Sequence, residues 1–509
     1  MKKKLSGYIF RKTTATVLLI LVQLGFLVLS LWRMANYFPY IYGFLLLLSL
    51  AMLIAVVNSE KNPAYKLAWV IPILILPVFG GFFYLMFGTS KVSSRLKKNR
   101  EIQQKFKQEY LSQNQAVWEE ANSADSASRP LMHYVNHAGY PLYANEGCEY
   151  FPLGEDQFKK MKEELLLAKK YIFLEYFIIA DGKMWDEILE ILKQKVTEGV
   201  EVRVIYDDCG SWGLLPPKYE KRLREAGISC RVFNPLRPSL TITMNNRDHR
   251  KSLIIDGKVG FTGGINIGDE YINHISVHGH WKDTAVMVRG QAVNTLISLF
   301  FEMWNLIDPG DEDVLGYYNK DTVTAVSQGY LQPYGSDPFS HDPVGEYIYM
   351  DLINKAQKEI LITSPYLIID NELTTALCLA AKSGISVTIL TPHIADKWYV
   401  HLMTVSSYQQ LIEAGVNIYE YTPGFIHAKM FVVDGKIATV GTINLDYRSL
   451  YLHFECGIIL YGTDTVKIIQ KDFLNTLNVS QKILPEDLKK IRWYHRLFQR
   501  MVQALSPLM

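Results

Sequence analysis

The sequence predicts an α/β protein in which N-terminal transmembrane helices precede two homologous α/β domains. Three observations predict it. Residues 246–266, NRDHRKSLIIDGKVGFTGGIN, recur almost position for position at 427–444, HAKMFVVDGKIATVGTIN. A strand, helix, strand run also occurs twice, and the first 90 residues hold apolar stretches of bilayer length.

Taken in order, residues 1–90 read as a membrane anchor of two or three spans. Residues 13–32, 38–57 and 68–87 are each nearly free of charge and rich in Leu, Ile, Val and Phe. Lys2, Lys3, Lys4, Arg11 and Lys12 precede the first stretch, but no small-residue cleavage site follows at LSLWRMANY, which favours an uncleaved anchor over a signal peptide. The third contains Pro72, Pro77, Gly80 and Gly81, which suit a kinked or re-entrant segment as well as a span. For three spans the basic residues divide seven against six, so the positive-inside rule gives no orientation. Two spans would put both basic segments on the cytoplasmic side. Five scattered cysteines without a CxxC fit a reducing compartment and suggest neither a disulfide framework nor a zinc site. The expectation is a multi-pass protein of the cell membrane with its catalytic domains facing the cytoplasm.

Residues 91–130 read as a basic, amphipathic linker: a helix-compatible stretch to about Trp118 that could lie along an anionic bilayer surface, then NSADSASRP at 122–130. The first domain, 131–325, contains YIFLEYFII, MWDEILEILKQKVTEG and VEVRVIY; the second, 326–480, contains EILITSPYLII, TTALCLAAKSG and ISVTIL. Both continue with a helix ending in an Ala-Gly turn and another strand, REAGISCRVF and IEAGVNIYEY, before reaching the repeated motif. Corresponding features are about 180 to 190 residues apart, far beyond a solenoid period. Residues 481–509 form a basic amphipathic tail, with Leu488, Ile491, Leu497, Phe498, Met501, Val502 and Leu505 on one helix face and five Lys or Arg between Lys489 and Arg500.

Each repeated motif sets a His two residues before a Lys, then an Asp-Gly turn, then a small-residue turn ending in Asn: His249, Lys251, Asp256 and Asn266; His427, Lys429, Asp434 and Asn444. Two apolar segments around Asp-Gly signal a β-hairpin, which would put His and Lys on a strand with their side chains on one face. That geometry suits a phosphate. Asp256 and Asp434 complete the motif, although their Asp-Gly position favours turn chemistry. The formal charge of +2 gives no overall case for a nucleic-acid partner.

The double HxKxxxxD pattern, with its trailing GGxN and GTxN, resembles the phospholipase D superfamily, and within it the bacterial cardiolipin synthases. HWKDT and FFEMW in the first half, NLDYRSLYLHFE in the second, and NPAYKLAWVIPILILPVFGGFFYLMFG near the N-terminus are similar to that family's signatures, so the likeness runs from about residue 38 to the end. Departures are the extra apolar stretch at 13–32 and Thr442 where Ser is common; Thr keeps the hydroxyl for a phosphate contact.

The resemblance implies two phospholipase D-like α/β domains forming an intramolecular pseudo-dimer, and phosphatidyl transfer from one phosphatidylglycerol to a second to give cardiolipin, releasing glycerol. The alternatives are a membrane phospholipase D that hydrolyses phospholipids and an anchored nuclease. The residues argue the chemistry independently. One neutral imidazole can attack phosphorus to form a phosphohistidine while the other, protonated, donates to the leaving oxygen. Lys251, Lys429, Asn266 and Asn444 would bind the non-bridging oxygens, and the scheme requires neither metal nor cofactor. Asp283 and Glu455 resemble the family's carboxylates that reach across to the opposite half's His, Glu455 to His249 and Asp283 to His427. His249, flanked by Arg247, Arg250 and Lys251, is the expected nucleophile, with His427 as acid and then base. The partners expected are phosphatidylglycerol, other membrane phospholipids and the bilayer.

Overall fold

The structure, a computed structural model, describes residues 38–59, 62–85, 111–235, 246–308, 310, 313–321, 327–340 and 342–489, with a few isolated positions elsewhere. The expected span at 13–32, the basic stretch at 91–110 and the tail beyond 489 fall almost wholly outside these residues. Two compact units result, an N-terminal one to Lys91 and a larger one that contains both repeats.

In the N-terminal unit, Phe38–Val57 forms a helix of 20 residues, followed by Pro63–Ile75 and Pro77–Phe83. The expected span at 68–87 is therefore two helices, broken at Leu76, where φ is −126° and Pro77 starts the next. Gly80 sits so close to the preceding helix that a Cβ there would lie 2.3 Å from the Cα of Ile73. The side chains of Phe38, Pro39 and Ile41 are outside the description, and among the described residues no helix is long and apolar enough to cross a membrane. The apolar character is nonetheless on the outside: Phe44, Leu47, Leu74 and Ile75 are 67%, 67%, 62% and 70% exposed.

The larger unit holds two sheets with one plan. In the first, seven strands run in the order Cys148–Phe151, Ala285–Arg289, Val259–Gly263, Lys251–Ile255, Tyr171–Tyr176, Glu201–Asp207, Ser229–Phe233. In the second the corresponding order is Tyr330–Ser336, Glu455–Tyr461, Ile437–Gly441, Met430–Val433, Glu359–Thr363, Ser386–Pro392, Asn417–Tyr421, with Tyr143–Ala144 and Ser480–Lys482 at the edges of its nine strands. In each, three strands are parallel and the motif hairpin joins them antiparallel. Fully buried strands read as continuous apolar runs, as in Ile360–Ile362 and Leu253–Ile255. One core cluster draws on both halves, joining Phe173, Ile254 and the Val293–Ile307 helix to Ile360, Met430 and Ile458.

The linker expected at 122–130 is ordered. Gln115–Ala124 is a helix that includes its first residues, and Asp125 accepts from the amides of Ala127 and Ser128 to start the Arg129–His137 helix. Ser, Ala and Asp suit helix starts as well as loops, which is why composition misplaced it.

Candidate active site

The two halves meet through short backbone ladders that end at the motif histidines. His280–Lys282 pairs in parallel with Gly424–Ile426, and the next residues are Asp283 and His427. A second parallel bridge joins Asp248 and Phe454, and the next residues are His249 and Glu455. The His427 amide donates to Lys282 O at 2.7 Å and the His249 amide to Phe454 O at 2.9 Å. Each histidine is thus set beside a carboxylate of the other half. The expectation that His and Lys sit on a strand holds for Lys251, which opens its strand, and is corrected for His249, His427 and Lys429: regular pairing begins at Lys251 and Met430, so both histidines lie just before the hairpin, in the stretch that crosses between halves.

His249 Nδ1 lies 2.9 Å from both carboxylate oxygens of Glu455, and His427 Nδ1 lies 2.6 Å from Asp283 Oδ2. A carboxylate only accepts, which places each ring proton on Nδ1 and leaves Nε2 with its lone pair. Burial pushes Glu455 upward, while Lys251 and the Thr442 hydroxyl favour its carboxylate form. Burial holds His249 well below the usual histidine range, and Lys251, His453, Lys429 and His427 add to this. For His427, burial and Lys429 act downward but Asp283 opposes them, leaving it at about 4.

Lys251 and Lys429 are each 1% exposed and donate to the carbonyl oxygens of their own motif histidines, Lys251 at 2.6 Å. Burial lowers them to about 8 and about 7. The two buried lysines stand among the Glu455 and Asp283 carboxylates and two imidazoles held toward their neutral forms, and their remaining N–H groups are donors that a phosphodiester's oxygens would accept. Aromatic rings close it on both sides: Phe177 stands 5.0 Å from His249, and Tyr271 and Trp281 each 5.6 Å from His427.

The remaining expected residues divide. Asn266 is buried but engaged, its Nδ2 donating to Tyr271 OH at 2.7 Å and its Oδ1 accepting from the Ile178 amide at 3.1 Å, so one N–H is left over. Asn444 Oδ1 is buried without a hydrogen-bond partner. Thr442, expected at the phosphate, instead donates to Glu455 and accepts from the Cys456 amide at 3.0 Å. Its counterpart is Gly264, where a Cβ would lie 2.1 Å from Asp283 Oδ1. The halves therefore hold their carboxylates differently, one with a hydroxyl and one by occupying the space a side chain would need.

Asp256 and Asp434 do not join the cluster. Asp256 accepts from the amides of Lys169, Lys170 and Tyr171 at 2.7–2.9 Å, and Asp434 from those of Gln357, Lys358 and Glu359 at 2.7–2.9 Å. Both adopt positive φ, 52° and 53°, at the far end of the strand from the lysine, about 16 Å away at strand rise. They fasten the hairpin to the strand that follows the preceding helix. The basic context expected around His249 is also corrected. Arg250 points into the protein, donating to Leu299 O and Glu302 at 3.0 Å and to Glu455 O at 3.3 Å, and Arg247 pairs with Asp207 at 3.2 Å. Arg250 holds the backbone of Glu455 rather than a phosphate.

His453 was not foreseen. Its ring lies 5.6 Å from that of His249, and with His249 and Glu455 it offers three ligand atoms within 4.8 Å of one another. A histidine two residues before a motif glutamate carries no sequence signal of its own; only the bridge at Phe454 turns it inward.

Comparison with known proteins agrees with this geometry. The family described as "Cardiolipin synthase, PLD-like domain" matches residues 161–304 and 349–477, and "Phospholipase_D-nuclease N-terminal" matches 47–88. A protein of Halalkalibacterium halodurans called cardiolipin synthase is 36% identical over 460 residues, 90% of this chain and 91% of its own length. A cardiolipin synthase of Geobacillus sp. is 36% identical over 455 residues, 89% and 90% respectively. An uncharacterized Streptococcus mutans protein is 41% identical over 458 residues, 89% of this chain and 98% of its own. Among solved structures, phosphatidylserine synthase of Haemophilus influenzae shares the fold, with a TM-score of 0.57 at 15% identity over 76% of this chain and 100% of its own.

Proposed function

Since this chain belongs to the cardiolipin synthase family of phospholipase D-like phosphatidyltransferases, we propose that it transfers a phosphatidyl group from one phosphatidylglycerol to the headgroup hydroxyl of another, giving cardiolipin and glycerol through a phosphohistidine. The observation that carries the reading is the crossed pair, His249 with Glu455 and His427 with Asp283, around two buried lysines.

Lys251 and Lys429 take the non-bridging oxygens, each with N–H groups to spare beyond its bond to a carbonyl. The free N–H of Asn266 adds a donor to the cradle, and Asn444 would add another through its Nδ2. His249 attacks phosphorus through Nε2. The surroundings of the two rings support that assignment: Asp283 raises the proton affinity of His427 against its burial, while burial, Lys251, His453 and Lys429 act together to hold His249 in the neutral, nucleophilic form. His427 then protonates the departing glycerol oxygen and takes the proton from the incoming hydroxyl. Burial of the rings keeps bulk water from the intermediate.

The bilayer is the place of reaction. The N-terminal helices expose Leu and Phe faces that fit lipid, and we infer a multi-pass anchor with the catalytic unit on the cytoplasmic side. Free cysteines at 148, 209, 230, 378 and 456 suit that compartment. Exposed Val277 and Trp212, at 57% and 49%, lie in loops of the catalytic unit and Trp398, at 67%, opens the Trp398–Glu413 helix; all three would suit a bilayer surface.

Purified protein given headgroup-labelled phosphatidylglycerol as sole lipid should release one glycerol for each cardiolipin formed. Phosphatidic acid as the main product would instead establish the hydrolase, and dependence on a nucleotide-activated lipid would overturn both.

A further inference from the structure

The polar groups beside the nucleophile are more than phosphotransfer uses. His453 is nine-tenths buried, and neither of its ring nitrogens has a hydrogen-bond partner, a costly state for a buried imidazole. Its Nδ1 lies 3.8 Å from Glu455 Oε1, and Glu455 in turn holds His249 Nδ1 at 2.9 Å. Two imidazoles and a carboxylate are the donor set of three-ligand zinc centres. Magnesium and calcium, which call for oxygen ligands throughout, fit it poorly.

We propose that His249, His453 and Glu455 form an inhibitory site for Zn²⁺. Bonds of about 2.1 Å in tetrahedral array put donor atoms about 3.4 Å apart, and the three ligand atoms here already lie within 4.8 Å of one another. The His453 ring, held by no hydrogen bond, is free to rotate through the difference. The ion would take the place of the proton between His249 Nδ1 and Glu455. That neutral ring then carries its remaining proton on Nε2, so the lone pair that attacks phosphorus is lost. Inhibition follows from the tautomer, without unfolding and without blocking the mouth of the site. Lys251 and Lys429 stand nearby and oppose a dication, and a phosphodiester held between them would offset that repulsion, so an anionic lipid and Zn²⁺ can be bound together.

The test uses the full-length protein in detergent. Co²⁺, read by the visible absorption of a four-coordinate ion, and then Zn²⁺ by displacement, should bind at one per chain in the absence of lipid. Zn²⁺ should suppress turnover by lowering kcat, raised phosphatidylglycerol should not relieve it, and Mg²⁺ should leave turnover unchanged. His453→Asn should weaken Zn²⁺ binding about a hundredfold or more and abolish inhibition, while basal turnover stays within about twofold, since His453 makes no step of the transfer. Should His453→Asn fail to fold, His453→Gln serves in the same titration. Absence of Co²⁺ binding by the wild type, or a variant inhibited as strongly as wild type, would overturn the proposal. Because metal binding is measured without substrate, its failure is distinct from any failure of the transferase reading.

Discussion

Binding a phosphodiester should draw protons from solution, by an amount the two lysines set. Burial leaves Lys251 at about 8 and Lys429 at about 7 in the empty site. At pH 8 Lys251 is then roughly half charged and Lys429 roughly one-tenth, so a complex that needs both ammonium groups takes up about 1.4 protons. At pH 6 both are already charged and the uptake from lysines falls to about 0.1. A proton gained by His427, itself at about 4 when the site is empty, adds to this uptake by an amount that its pKa in the complex sets. The lysines' share of the difference is about 1.3 protons, and the same titration on His427→Asn isolates it. Titration calorimetry with glycerophosphoglycerol, a diester that stays singly charged, in buffers of contrasting ionisation enthalpy measures it. The sign follows for catalysis: these are bases with depressed values, charged below about 7 and neutral above about 8, so kcat/KM should fall as pH rises through that window. Uptake at pH 8 no larger than at pH 6 would refute the claim that the buried lysines bind the phosphate.

Further outcomes are expected. Lys429→Met should cut kcat/KM by about 10²–10³, the loss of one preorganised donor, and bring uptake at pH 8 to about 0.5 protons; unchanged uptake would remove Lys429 from the phosphate. Glu455→Gln keeps the shape but no longer fixes the His249 tautomer, and should lower kcat by about 10³ or more; Asp283→Asn should act likewise through His427, and a near-wild-type rate in either variant would refute the crossed pairing. Asp256→Ala removes the acceptor of three backbone amides and should cost about 1–3 kcal/mol of stability in urea denaturation, while folded molecules keep their specific activity; an intact fold without activity would return Asp256 to the chemistry. EDTA should leave turnover undiminished, and loss restored by a divalent ion would contradict a mechanism run by imidazoles and lysines.

How much of this was legible in the sequence follows from how far each feature depends on distant partners. The HxK repeat is local, so both histidines and both lysines could be named, and Asp283 and Glu455 stood out by family likeness. The pairing of halves was legible only through that likeness, because the ladders that join them at the site are three residues at His280–Lys282 and one at Phe454, too short for a periodic signal. Arg247 and Arg250 misled as a basic patch because charge in sequence says nothing of direction; Asp207 and Glu302 lie 40 and 52 residues away and claim them. Thr442 was expected at the phosphate because its hydroxyl matched in type, yet the carboxylate of Glu455 is nearer. His453 needed the three-dimensional neighbour, since nothing beside it in the chain marks it as buried.

The central claim is that the two halves build one site in which His249 is phosphatidylated while His427 moves the proton. Trapping tests it directly. Wild-type and His427→Asn proteins are mixed with lipid labelled in the phosphatidyl group, quenched within milliseconds to seconds at alkaline pH where phosphohistidine survives, and digested. The account predicts label on the peptide containing His249, transient in the wild type and slow to discharge in His427→Asn. Label on the peptide containing His427 would contradict it.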